Sequence, residues 1–256
     1  MTKRPLILVT NDDGITAPGI RTLISIMNTI GDVIVVAPDS PQSGMGHAIT
    51  IKSTLYIEKI KVDDGPQIEY SCSGTPADCV KLAVREILDR KPDLCVSGIN
   101  HGSNSSVNVL YSGTMSAAIE AGMQNIPAIG FSLLDYNWSA NFEHWKNHIK
   151  AITLNALKNK IPKDVVLNIN IPNVDEKNIS GVKVCRQARA NWKEKFDKRT
   201  NPMGRDYYWL AGEFVVTDKG TDTDEWALAN NYISIVPVHF YLTDYNAINQ
   251  LNKWSF

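Results

Sequence analysis

Short, wholly apolar runs alternate with amphipathic segments over residues 1–172, and this alternation constrains the fold more than any other feature of the chain. The first two runs are Leu6 to Val9 and Val33 to Val36. A strand that is apolar at every position is buried on both faces, as in a parallel sheet covered by helices. The pattern therefore predicts an α/β fold with a doubly wound, mostly parallel, Rossmann-like sheet.

Helix and turn signals place the remaining elements of this region. Thr75 is suited to cap a helix, with Pro76 at its first position and Asp78 at its third. The stretch 51–73 alternates around Asp63-Asp64-Gly65-Pro66 and predicts an antiparallel hairpin at the sheet edge. Predicted helices start near Pro18 and cover 75–90, 114–124 and 143–158; predicted strands cover 6–9, 33–36, 94–97, 127–133 and 165–171.

The character of the sequence changes after Pro172, and we expect a second region over residues 173–256. Residues 173–221 carry many charges and the aromatic run Tyr207-Tyr208-Trp209, which predicts a β-rich arm. A strand at 232–238 and a terminal helix at 243–253 follow. Because an isolated β-arm is marginally stable in water, we expect this region to mediate oligomerisation.

Composition excludes several classes of protein. The formal net charge is −1, from 26 basic and 27 acidic residues, which argues against a globally basic protein that binds nucleic-acid duplexes. The four cysteines form no C-x-x-C pair, so a disulfide scaffold and a cysteine zinc site are both disfavoured. The apolar run at Leu6 is too short for a signal peptide or a membrane span. We expect a cytoplasmic protein with no membrane partner.

Polar residues follow the predicted buried strands, where an open parallel sheet binds its ligands. Their side chains offer oxygen donors, which suit Mg²⁺, Mn²⁺ or Ca²⁺. Adjacent carboxylates at Asp12 and Asp13 would repel each other unless a cation lay between them. The alternative is that Asn11-Asp12-Asp13-Gly14 is only a polar turn. The strand-end residues are Asn11, Asp12, Asp13, Asp39, Ser40, Ser43, Asn100, Asn104, Ser112, Gly113 and Thr114.

Ser112-Gly113-Thr114 precedes a predicted helix of small residues. Free backbone N–H groups at a helix N-terminus favour a phosphate group. Ordinary N-capping by Ser112 or Thr114 explains the same pattern. The sequence shows no dinucleotide-binding fingerprint and no P-loop.

The histidines and the basic cluster give weaker signals. His47 is open to two interpretations, an acid or phosphate contact and a structural hydrogen bond. His144 and His148 lie four residues apart, but Trp145 breaks the zinc-protease motif. The basic residues between Arg186 and Arg199 are interpreted as a solvated face, with the guidance of anionic substrates as the alternative.

Six blocks of polar and small residues lie in a fixed order between residues 5 and 133. They are Ile7-Leu8-Val9-Thr10-Asn11-Asp12-Asp13-Gly14-Ile15; Ala37-Pro38-Asp39 with Gln42-Ser43; Gly46-His47-Ala48-Ile49-Thr50; Ser73-Gly74-Thr75-Pro76-Ala77-Asp78-Cys79-Val80; Ser97-Gly98-Ile99-Asn100 with Gly102 and Asn104; and Tyr111-Ser112-Gly113-Thr114. Together they resemble the signatures of the survival protein SurE family, the metal-dependent 5′/3′-nucleotidases. The tail is also similar through Thr223-Asp224, Ala227 and Tyr232-Ile233-Ser234, whereas the likeness between 135 and 220 is loose.

The resemblance implies a phosphatase that acts on nucleoside monophosphates and holds one divalent cation per subunit, Mg²⁺, Mn²⁺ or Ca²⁺. The metal ligands of the family correspond to Asp12, Asp13, Ser43 and Asn100. His101 fills a variable position and receives no role. The resemblance also implies that the C-terminal region exchanges between subunits and that an extended hairpin builds a homodimer or a homotetramer.

We therefore expect a 5′-nucleotidase that hydrolyses nucleoside 5′-monophosphates, with 3′-monophosphates left open, to nucleoside and phosphate. Asp12 and Asp13 are the expected catalytic residues; one of them orients or deprotonates a water, or attacks phosphorus itself. Asn100, Ser112, Gly113 and Thr114 are the expected phosphate contacts.

Two other classes of protein are weighed against this expectation. A nucleotide-binding regulator gains nothing from two carboxylates beside its ligand. A haloacid-dehalogenase-type phosphatase needs its two aspartates separated by one residue, whereas Asp12 and Asp13 are adjacent.

Overall fold

A nine-stranded sheet forms the centre of the computed structural model, which describes residues 4–255. The strands are β1 (Leu6–Thr10), β2 (Asp32–Pro38), β3 (Ile57–Ile60), β4 (Ile68–Cys72), β5 (Leu94–His101), β6 (Ala128–Leu133), β7 (Val165–Ile171), β8 (Gly181–Val184), β9 (Ala190–Thr200), β10 (Asp206–Val216) and β11 (Tyr232–His239). The helices are α1 (Pro18–Asn28), α2 (Pro76–Leu82), α3 (Gly113–Met123), α4 (Lys146–Asn159), α5 (Asp224–Ala229) and α6 (Tyr245–Leu251).

The sheet is mixed but mostly parallel, with the strand order β3-β4-β2-β1-β5-β6-β7-β11-β8. The strands from β4 to β7 run parallel to their neighbours, whereas β3 pairs antiparallel with β4 and β11 pairs antiparallel with β7. The order reverses at β1, which lies between β2 and β5. The predicted doubly wound α/β fold, with its antiparallel edge hairpin, is confirmed.

Burial on both faces explains why the strands read as apolar runs. In β1, Ile7 and Val9 pack into one core cluster, and Leu8 packs into the cluster on the opposite face. Helices α1 and α4 cover the first face, and α2 and α3 cover the second. The sheet is therefore the middle layer of a three-layer sandwich.

Helix α2 starts as its sequence indicates but ends earlier than predicted. The Thr75 hydroxyl accepts the Asp78 N–H at 3.2 Å, and the Asp78 carboxylate accepts the Thr75 N–H at 3.0 Å. The α-helix ends at Leu82, and one π-helical turn, Ala83–Ile87, replaces the rest of the predicted helix. Leu88, whose N–H bonds to the Ala83 carbonyl at 2.9 Å, is extended and leads the chain toward β5.

The C-terminal region contributes both to the sheet and to a protruding arm. Strands β11 and β8 continue the central sheet beyond β7, so the part that leaves it is the antiparallel pair β9–β10. The division of the chain at residue 172 stays a prediction. In residues 4–255 we find no helix long and apolar enough to cross a membrane.

Candidate active site at the carboxyl ends of β1 and β5

A cleft of about 400 Å³ opens beyond β1 and β5, where the strand order reverses. It brings together five residues that were singled out in the sequence, which are Asp12, Ser43, Asn100, Asn104 and Ser112. The remaining lining residues are Gly44, His101, Ser103, Asn108, Tyr111, Tyr136 and Trp192.

Asp12 lines this cleft with 4% of its surface exposed, whereas Asp13 is not among the lining residues. Burial, together with the negative charge of Asp13, raises the pKa of Asp12 from 3.8 to about 6. Hydrogen bonds from the hydroxyl and the backbone of Thr114 act in the opposite direction. A carboxylate in this environment is stabilised by a nearby positive charge.

Helix α3 approaches Asp12 so closely that its first residue has to be glycine. A β-carbon on Gly113 would lie 2.6 Å from the Asp12 β-carbon and 2.9 Å from the Asp12 Oδ2. The N-terminus of α3 therefore abuts this carboxylate.

The interpretation of Ser112 as a helix cap is confirmed, since its hydroxyl accepts the Met115 N–H at 3.0 Å. Thr114 uses its hydroxyl to hold Asp12. Phosphate binding by Ser112, Gly113 and Thr114 stays a prediction. Both the hydroxyl and the backbone of Thr114 bond to Asp12, so such binding would rely on the positive end of α3 more than on Thr114 itself.

Asp13 is held by His101, the residue to which the sequence assigned no role. The Asp13 Oδ2 accepts the ring N–H of His101 Nδ1 at 2.8 Å and the backbone N–H of His101 at 3.2 Å. The His101 ring stacks on Trp138, with centroids 5.2 Å apart and an interplanar angle of 8°, and meets Phe142 edge-on. His101 received no role from the sequence, and the structure shows that its ring and backbone both contact one of the two carboxylates.

Asn100 lies on β5, three residues beyond the predicted end of this strand at residue 97. Strand β5 extends to His101, with a register shift against β6 between Ser97 and Asn100. Gly98 has a φ of +120°, and a β-carbon there would lie 2.3 Å from the Phe131 carbonyl oxygen. The Asn100 amide donates one N–H to the Gly102 carbonyl at 2.9 Å. One of its two N–H donors is therefore engaged within the chain.

The loop that carries Ser43 is attached to the site on both sides of the serine. The Gln42 N–H bonds to the Asp12 carbonyl at 2.7 Å, and the Gly46 N–H bonds to the Tyr111 carbonyl at 3.1 Å. Ser43 itself is exposed at the mouth of the cleft. Main-chain hydrogen bonds thus bring this third segment to the cleft.

Other polar residues singled out in the sequence lie outside the cleft. Asp39 and Ser40 are exposed and bond to each other. His47 pairs with the buried Glu120 at 3.1 Å, and Lys81 bonds to the same carboxylate at 2.7 Å, which supports the structural interpretation of His47. His148 lies near Glu176 on a different face of the molecule.

A buried amide network supports the floor of the site, and only one of its members was singled out in the sequence. The Asn104 amide donates to the Ser132 hydroxyl at 2.8 Å, and the Asn104 N–H donates to the Asn170 Oδ1 at 2.8 Å. Asn168 in turn donates to the Asn104 carbonyl at 2.8 Å. The signal for Asn168 and Asn170 was present, since two amides interrupt an otherwise apolar strand.

A second support comes from α5. The buried carboxylate of Asp224 accepts the backbone N–H of Ser106 at 2.8 Å and that of Ala188 at 2.9 Å. It therefore joins the loop after β5 to the segment that enters the arm.

The donor set fits a hard divalent cation. Within residues 4–255, no group of three or more His, Cys, Asp and Glu side chains is placed to hold a metal ion. The cleft instead offers Asp12 with the neutral oxygens of Ser43 and Asn100, and Asp13 follows Asp12 in the chain. Carboxylate, hydroxyl and amide oxygens are ligands of Mg²⁺, Mn²⁺ and Ca²⁺ and disfavour zinc and copper.

Comparisons with known proteins agree with this geometry. A family model described as "Survival protein SurE" matches residues 7–194. A protein named 5′-nucleotidase SurE from Flavobacterium johnsoniae is 68% identical over 253 residues, covering 99% of this chain and 98% of that protein. A protein of the same name from Bacteroides fragilis is 44% identical over 254 residues, covering 99% and 98%. The crystal structure of the SurE protein from Aquifex aeolicus superposes with a TM-score of 0.84 at 40% identity, covering 97% of this chain and 98% of that one.

Proposed function

Since the chain belongs to the survival protein SurE family, we infer that it is a 5′-nucleotidase, a hydrolase that converts nucleoside monophosphates to nucleoside and phosphate. The observation that carries this inference is the cleft itself. Asp12 meets the N-terminus of α3 there, so a carboxylate and a helix terminus of the kind that favours phosphate groups face one small volume.

The family is generally metal-dependent, and we propose one divalent cation per subunit. Asp12, Asp13, Ser43 and Asn100 are the proposed ligands. When bound, such a cation supplies Lewis acidity, which lowers the pKa of a water and offsets the charge of the phosphate. The oxygen ligands suit Mg²⁺, Mn²⁺ or Ca²⁺.

The hydrogen bonds of the other side chains suggest their roles in the reaction. Thr114 orients Asp12, and His101 orients Asp13, so both carboxylates are presented in fixed positions. We propose that one of the two orients or deprotonates the attacking water or attacks phosphorus itself. The N-terminus of α3, through its positive end, and the amide of Asn100 would bind the phosphate oxygens, on which charge accumulates in the transition state.

Location and assembly stay predictions. A cytoplasmic compartment agrees with four buried cysteines that are all free. A homodimer or homotetramer agrees with the arm, where Phe196, Tyr208 and Trp209 are all exposed. Light scattering at micromolar concentration tests the second prediction, and a monomeric mass would contradict it.

Phosphate release from a panel of nucleoside 5′- and 3′-monophosphates, with Mg²⁺, Mn²⁺ or Ca²⁺ and with EDTA, tests the function. We expect turnover that depends on the cation. Asp12→Asn should raise the activation barrier by about 4 kcal/mol or more, which slows turnover by roughly a thousandfold or more. Asp39→Asn is the matched control, because Asp39 also follows a parallel strand but lies outside the cleft. Turnover that EDTA does not change, or a fully active Asp12→Asn variant, would refute the proposal.

A further inference from the structure

A second cavity, of about 500 Å³, adjoins the cleft and is called here the side cavity. The cleft and the side cavity share three residues, Gly44, Tyr111 and Trp192. The other residues that line the side cavity come from the arm and are Glu194, Leu210, Ala211 and Gly212. The two volumes are therefore adjacent, with Asp12 in the wall of one and the arm in the wall of the other.

Two aromatic rings stand at the junction of the two volumes, and both are exposed. Trp192 is 43% exposed and Tyr111 is 55% exposed. Two main-chain hydrogen bonds fix the backbone of Tyr111. The Tyr111 N–H bonds to the Asn108 carbonyl at 3.0 Å, and the Tyr111 carbonyl accepts the Gly46 N–H at 3.1 Å.

Trp192 is held as firmly. Its indole N–H donates to the Asn108 Oδ1 at 2.8 Å, and its ring packs on Phe214 with centroids 5.3 Å apart. Both aromatic side chains thus remain open to a ligand although their attachments are fixed. Such preorganisation reduces the entropy lost when a flat ligand binds.

The position of the rings selects the chemistry of the ligand. Tyr111 directly precedes Ser112, the N-cap of α3, so its ring lies beside the proposed phosphate seat. A molecule that fills both volumes has a phosphate at one end and a flat, stacking ring at the other. A nucleoside monophosphate has this shape.

We propose that the side cavity is the nucleobase subsite and that Tyr111 and Trp192 supply the surfaces on which the base stacks. The proposal rests on the proposed function and deepens it. Stacking a base on an aromatic side chain changes binding by roughly 5- to 150-fold. Because the base does not react, this binding is the same in the ground state and the transition state, and its loss raises KM more than it lowers kcat.

Hydrolysis of AMP and of ribose 5-phosphate tests the proposal, since the second substrate keeps the phosphate and the sugar but lacks the base. We expect Tyr111→Ala and Trp192→Ala to lower the ratio of the two kcat/KM values by about tenfold. Tyr111→Phe, which keeps the ring, should retain the ratio of the unmodified protein. A ratio near one in the unmodified protein, or a ratio that neither alanine variant changes, would overturn the proposal.

Trp209→Ala is the matched control on the same arm. Trp209 is 62% exposed and neighbours Leu210 on β10, but it lines neither volume. We expect this variant to keep the AMP to ribose 5-phosphate ratio. A fall as large as that of Trp192→Ala would mean that the arm acts only through its fold, which would also overturn the proposal.

Calorimetric titration with adenosine measures ligand affinity at the side cavity without catalytic turnover. Adenosine should bind the unmodified protein and bind Tyr111→Ala about tenfold more weakly. If neither phosphomonoester is hydrolysed but adenosine binds through Tyr111, the proposed function fails and the subsite stands. If both phosphomonoesters are hydrolysed and adenosine does not bind, the subsite fails and the proposed function stands.

Discussion

Two substitutions of His101 distinguish its role in orienting Asp13 from its role in packing against neighbouring rings. The δ nitrogen of an asparagine is attached to the same carbon as the Nδ1 of histidine, whereas the amide nitrogen of glutamine lies one bond further along the side chain. His101→Asn therefore keeps a donor where the Asp13 Oδ2 accepts one at 2.8 Å, and His101→Gln removes it. Both variants lose the stacking on Trp138, so this loss cancels when the two are compared.

The size of the effect follows from the two hydrogen bonds that His101 donates. The backbone N–H at 3.2 Å from Asp13 survives any substitution, and the ring N–H at 2.8 Å does not. A hydrogen bond to a charged group contributes about 1.5–3 kcal/mol. Removing a partner that orients a metal ligand typically costs 10- to 100-fold in metal affinity. Because one donor remains, we expect His101→Gln to bind Mn²⁺ or Mg²⁺ about tenfold more weakly than His101→Asn.

Isothermal titration calorimetry of the metal-free variants measures this difference directly, without turnover. Thermal unfolding of the same samples shows whether the two substitutions disturb packing to the same extent. Equal cation affinities in His101→Asn and His101→Gln would refute the reasoning, because the ring would then act through packing alone. A lower affinity in His101→Asn than in His101→Gln would reverse the geometric argument.

Three further predictions follow from the same contacts. The pKa of Asp12 is raised to about 6 in the folded state, so between pH 6 and 4 the metal-free folded protein binds a proton that the unfolded chain does not. The unfolding free energy should therefore rise by about 3 kcal/mol as the pH falls from about 6 to 4, measured relative to the Asp12→Asn variant. Denaturant titrations across that pH range test the sign of this change. Gly113→Ala should reduce turnover at least tenfold, since its β-carbon would displace the Asp12 carboxylate, although alanine ordinarily favours a helix; full activity would contradict the close approach. Asp224→Ala should lower the unfolding free energy by about 3 kcal/mol, because the buried N–H groups of Ser106 and Ala188 lose their acceptor, and Asp224→Asn should lower it less.

The sheet was predictable because a strand that is buried on both faces is a continuous run of apolar residues in the sequence. Each predicted strand from Leu6 to Ile171 corresponds to an observed strand within a few residues. The boundaries failed where hydrogen bonding overrides propensity. One example is the end of α2, where a π-helical turn replaces the last turns of the predicted helix. The other is β5, where the register shift at Gly98 lets the strand continue to His101.

The carboxylate side of the cleft was predictable for a topological reason. Parallel strands place their carboxyl ends at one edge of the sheet, so residues far apart in the chain meet there without any knowledge of side-chain contacts. Asp12, Ser43, Asn100 and Ser112 all follow or end such strands or begin the next helix, and all four line the cleft. The sequence cannot show which polar atoms the fold already engages, and the Thr114 hydroxyl, bonded to Asp12, is one of these.

The same argument explains why the side cavity was not predictable. Trp192 belongs to an arm that leaves the sheet, and no periodicity of the parallel strands relates it to Tyr111. Their proximity depends on particular contacts, such as the 2.8 Å hydrogen bond from Trp192 to Asn108. In this chain, the topology of the sheet determines where the phosphate end of a nucleotide would bind. The docking of the arm determines what lies beside it, so under the proposed subsite we expect variation in the arm to change substrate preference while Asp12 and Asp13 stay unchanged.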